Sequence, residues 1–74
     1  MRDYRFHSFS RDGASAFADV LREDGFAMVE VQPSDGHSPG WHVHGMAEDR
    51  AEGLLEVLAQ FYGGAYEGED LTRG

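Results

Sequence analysis

A chain of 74 residues and 8.2 kDa has room for one small domain. Fourteen acidic against six basic residues leave a net charge of −8, which excludes nucleic acid or an anionic membrane as the main partner, since gripping phosphate takes surplus Lys and Arg. A hydrophobic fraction of 41% with 12% aromatics is too high for a disordered acidic tail, and the absence of cysteine removes disulfides, thiolate metal sites and cysteine nucleophiles together.

The first element is a strand. Tyr4, Phe6 and Ser8 alternate with Arg5, His7 and Phe9, a period of two with aromatic enrichment. Ser10, Asp12 and Gly13 break it and offer caps for a helix beginning near Gly13, whose apolar stripe is Ala14, Phe17, Ala18 and Leu21 with Val20 beside it. Gly25 ends that helix. Phe26 to Val31 follows as a strand, Pro33 to Gly40 as a loop, and Trp41 to Gly45 as an alternating strand that makes a hairpin with Phe26 to Val31.

A second helix is expected from about Ala47 to Tyr62, with an apolar face of Ala47, Ala51, Leu54, Leu55, Leu58, Phe61 and Tyr62, closed by Gly63-Gly64. Ala65 to Glu67 forms a short final strand. The ordered core then covers about residues 4–67, with 68–74 as a frayed tail. The order β-α-β-β-α-β is the ferredoxin-like one, an α+β fold in which two helices cover one face of an antiparallel sheet. The reading places the first and third strands side by side at the centre, running parallel, with right-handed crossovers.

No apolar run exceeds four residues, Phe26 to Val29, so a transmembrane helix or secretory leader is not expected and the location reads as cytoplasmic. With no lysine anywhere there is no phosphate loop. Ser34-Asp35-Gly36-His37-Ser38 gathers the residue types of a triad, but one loop cannot preorganise them. Catalysis and a cofactor are therefore not expected.

Two constellations remain. Alternation sends His7, His42 and His44 to the open face of the sheet, where three imidazoles could hold zinc with one position free, provided the strand register lets them meet. The bland alternative is half-exposed strand residues. Glu48, Glu52 and Glu56 recur at steps of four as an acidic ridge on the second helix, and Glu67, Glu69 and Asp70 add charge after the last strand. Such a surface solubilises a small domain or docks a basic protein segment.

The strand opening at Gly25-Phe26, the strand beginning at Trp41, and the run from Leu58 through Gly63-Gly64-Ala65-Tyr66-Glu67-Gly68 resemble the RraB family of ribonuclease E inhibitors, whose domain ends in a Gly-Gly-x-Tyr-Asp-Gly stretch. The resemblance spans about Tyr4 to Glu69, with Glu67 in place of the family's Asp and Glu69 where an aromatic commonly follows. It implies an acidic, ferredoxin-like, non-enzymatic protein that binds the endonuclease rather than RNA. A homodimer through the open sheet face is a further expectation, resting on apolar residues on both faces of the second strand, with Val29 and Val31 opposite Phe26 and Met28.

Overall fold

The computed structural model describes residues 1–34 and 40–70, the last two of these by backbone alone. The triad-like residues Asp35, His37 and Ser38 and the tail 71–74 lie outside the described residues. Chain order is β1 (Arg2–Phe9), α1 (Arg11–Glu23), β2 (Ala27–Pro33), β3 (Trp41–Ala47), α2 (Glu52–Phe61) and β4 (Ala65–Asp70). The β-α-β-β-α-β order is as expected, and the final strand runs to Asp70, three residues beyond Glu67.

The sheet order is β2-β3-β1-β4. β1 and β3 are central as anticipated, but they pair antiparallel, not parallel. The reason is topological. Crossover through α1 makes β1 and β2 run the same way with a gap between them, and β3, reversed by the hairpin, fills that gap against both neighbours.

Local chemistry sets the helix ends. The Ser10 side chain caps α1 by accepting from Gly13 N–H at 3.1 Å. At its far end Gly25, at φ +95°, lets Phe26 N–H reach Leu21 O at 3.0 Å and Gly25 N–H reach Arg22 O at 3.2 Å, closing the helix while laying Phe26 on the core. The Gly63-Gly64 pair closes α2 in the same way, with Gly64 N–H donating to Ala59 O at 2.9 Å. Gly64 also makes room for the core, since a Cβ there would sit 2.3 Å from the Phe9 ring.

The core packs the inner sheet face against α1. Tyr4, Phe6, Phe9, Phe17, Leu21 and Val43 are its largest fully buried side chains. Phe17 meets Phe6 edge-on at 4.7 Å between ring centroids and stacks on Phe9 at 4.9 Å. Simple alternation put Phe9 on the open face. A bulge opposite Trp41, with Ser8 at φ +71°, skips one residue and turns Phe9 inward. A second bulge, with Met28 at φ +53°, lets Phe26, Val29 and Val31 all face the core, so the apolar residues expected on the open side of β2 are not there.

Helix α2 starts five residues later than its apolar spacing suggests. Val43, Gly45 and Ala47 continue the inward alternation of β3, and Arg2 on β1 supplies a ladder partner for Ala47. Arg50 then anchors the turn. Its N–H donates to the Tyr4 hydroxyl at 2.8 Å, its guanidinium donates to Asp24 O at 2.9 Å, and it lies 5.1 Å from the Phe26 ring centre. These tertiary contacts outweigh the helical periodicity of residues 47–51.

Candidate functional site

Helix α2 is the less embedded of the two helices. Only Leu55 and Ala59 of its ten residues are buried, and it has no side-chain cap, Ala51 standing at the N-cap. Leu54, Val57 and Phe61 are 72%, 64% and 80% exposed. With half-buried Leu58 they fall at i, i+3, i+4 and i+7, one continuous flank of the helix. Glu52, Glu56 and Gln60, at steps of four, occupy the other flank. There the Tyr66 hydroxyl donates to Glu52 at 3.0 Å, tying the acidic side to β4.

The apolar flank borders a groove of about 460 Å³ between the helices, lined by Val20, Glu23 and Asp24 on one side and by Arg50, Ala51, Leu54, Leu55 and Leu58 on the other. The helices meet where α2 ends. The Phe17 and Tyr62 rings are 5.8 Å apart, and a Cβ on Gly13 would lie 2.7 Å from Tyr62 O. The groove lies toward the start of α2, where the Arg50 side chain spans from one wall to the other by donating to Asp24 O at 2.9 Å.

The predicted acidic ridge is only partly formed. Glu52 and Glu56 share a helical flank, but Glu48 sits in the bend before α2, off the helix, with Asp49 beside it paired to Arg2 at 3.1 Å. Glu67 is exposed on β4 and borders a second, polar depression of about 280 Å³ on the open sheet face. Glu69 and Asp70 extend that strand, so backbone pairing with β1 places them at the same edge. The acidic residues are thus divided among the bend before α2, one flank of that helix and the β4 edge, not gathered on one surface.

The histidines do reach the open face, as alternation requires, but they do not converge. His44 Nε2 lies 3.1 Å from Glu30 and Nδ1 lies 3.6 Å from Asp3, which also pairs with Arg5 at 3.3 Å. His7 Nδ1 lies 2.7 Å from the Ser8 hydroxyl, and the His7 and His42 rings are 6.5 Å apart. Among the described residues no three His, Asp or Glu side chains are placed to hold a metal ion. The register that pairs His44 with Glu30 on one side and Arg5 on the other makes it the centre of a polar network across three strands.

Sequence reading missed the apolar flank because it assigned Leu54 and Phe61 to the core face and passed over Val57. A signal was present: together with Leu55 and Ala59 these positions spread over an arc much wider than the roughly 100° one buried stripe needs. No helix among the described residues is long and apolar enough to cross a membrane. Comparison with protein-family models, with curated proteins and with solved structures found no match.

Proposed function

We propose that the chain is a non-catalytic, protein-binding regulator working in the cytoplasm, and that the acidic flank of α2 docks a basic segment of its partner. Following the resemblance to the RraB family, that partner is ribonuclease E or a related RNA-processing nuclease. The observation that supports this reading is the exposure of α2. A ten-residue helix that buries two side chains and holds two carboxylates on an open flank is presented rather than embedded. A net charge of −8 adds long-range attraction for a basic segment, faster association and a dependence on ionic strength.

Calorimetric titration of the full chain with purified ribonuclease E, and with an Arg-rich peptide from it, tests the proposal. Binding is expected to weaken as salt rises, because the Debye length falls from about 10 Å at 0.1 M to about 3 Å at 1 M. Reversing Glu52 and Glu56 to Lys should weaken it at least about tenfold, the scale of a few lost charge pairs. Adding Glu48→Lys should change little more, since Glu48 lies off the helix. Affinity that ignores both salt and the reversals would discard this mode of docking.

A further inference from the structure

We infer that the apolar flank of α2 is the interface of an antiparallel two-fold homodimer in which Phe61 of each copy fills the helix groove of the other. The starting point is a mismatch within one chain. Phe61 is 80% exposed, and its ring contact is the neighbouring Tyr62 at 5.3 Å. At the other end of the same helix is a groove of about 460 Å³, its apolar wall formed by Val20, Leu54, Leu55 and Leu58 and its rim by Glu23, Asp24 and Arg50, that no side chain of the described residues fills. The helix itself keeps the two apart: Leu54 and Phe61 are seven residues from each other, roughly 10 Å along the axis.

A two-fold axis across α2 between Val57 and Leu58 exchanges these two ends. It sets Leu54 against the partner's Phe61 and Val57 beside the partner's Leu58, so one patch complements itself and the contact closes at two copies. The i, i+3, i+4, i+7 spacing is that of a helix–helix seam. Charge allows it, because Glu52 and Glu56 lie on the other flank and point away from the seam. The open sheet face is a poorer candidate: Val29 and Val31 pack inward, and Arg5, Glu30, His42 and His44 make that face polar.

Area sets the strength. A standard interface covers roughly 800 Å² per partner, about a sixth of the 4844 Å² surface of this chain. Leu54, Val57 and Phe61 supply on the order of 400 Å² per copy, taking roughly 150–250 Å² for an aromatic ring, and the groove walls add to it. That describes a concentration-dependent dimer, not an obligate one. The two copies also repel through their net charges of −8 each, so salt should strengthen the association. A basic helix from another protein seated in the same groove would be weakened by salt instead.

Sedimentation of the full chain from about 10 μM to about 1 mM, at low and high salt, is the test. The expected mass rises from 8.2 kDa toward twice that value, and rises further in high salt. Phe61→Glu, and separately Leu54→Glu, should weaken association at least about tenfold with the thermal melt of the dilute protein unchanged, since both side chains are exposed. Because the chain has no cysteine, single-cysteine variants report orientation. Leu54→Cys mixed with Phe61→Cys should oxidise to the unlike pair, and Phe61→Cys alone should not cross-link. A monomer at the highest concentration in high salt overturns the proposal. So does a dimer that survives both Glu variants, a dimer lost on His42→Glu alone, or efficient cross-linking of Phe61→Cys to itself. None of these outcomes touches the acidic flank, so docking of the basic segment stands or falls separately.

Discussion

The two helices were expected to play the same part, each laying one apolar face on the sheet. They do not. Helix α1 buries Ala14, Phe17, Ala18 and Leu21 and turns acids and arginines outward. Helix α2 buries two side chains and leaves three large apolar ones in solvent. In so small a domain, then, one helix completes the core. The other seats only Leu55 and Ala59 on the core and is tied at its ends by Arg50 and by the Gly63-Gly64 closure, with its outer flank free to meet something else. Truncating one aromatic ring on each helix puts that division under the greatest strain. Phe17 is fully buried between Phe6 and Phe9, so Phe17→Ala should cost about 3–5 kcal/mol through lost burial and the cavity left behind. Phe61→Ala, in protein dilute enough to be monomeric, should stay within about 0.5 kcal/mol. Urea melts of the two variants read this directly. A large loss at Phe61 in dilute protein would place that ring in the fold and leave it unavailable to a partner.

The same contrast shows where the sequence was legible. Helix α1 was readable because a capping Ser, a 3.6-residue stripe and a closing Gly all agreed, and nothing in the tertiary structure opposed them. Helix α2 was readable in its body but not at its start, because Ala47 satisfies two periods at once. It continues the spacing to Ala51 and Leu54, and it also extends the inward series Val43, Gly45, Ala47, which wins because Arg2 is there to pair with it. Glu48 left the acidic ridge for the same reason. The aromatic order of β1 was readable up to Phe6 and lost at Phe9, since a bulge at a serine with positive φ carries no clear residue signal. Val29 and Val31 changed faces through the bulge at Met28. The histidines were placed on the correct face, but whether they meet depends on register and on the carboxylates Asp3 and Glu30, which come from two other strands.

Capping separates the helices next. Ser10 satisfies an otherwise open N–H at the start of α1, so Ser10→Ala should cost about 1 kcal/mol, visible as a lower urea midpoint with an unchanged slope. An unchanged midpoint would show that α1 is fixed by its packing alone.

The smallest effect is the reciprocal gain at the start of α2. Ala51 already has the extended backbone of an N-cap, φ −72° and ψ 112°, and its carbonyl accepts from Leu54 N–H at 3.1 Å, but it has no side-chain oxygen to offer. Ala51→Ser supplies one and should add roughly 0.5 kcal/mol, toward the lower end of measured capping effects. The increment is less than the loss at Ser10 because this turn is already held: Arg50 N–H is fixed on the Tyr4 hydroxyl at 2.8 Å. That restraint can be removed. Tyr4→Phe deletes the hydroxyl and leaves the Arg50 N–H without its partner, a loss of about 1–3 kcal/mol for a part-buried donor. In that background the serine cap should stabilise more than it does in the wild-type chain, because the start of α2 then depends on its own capping. A double-mutant cycle on melting free energies measures the coupling. Strict additivity would mean that the Tyr4 anchor and the helix start act independently.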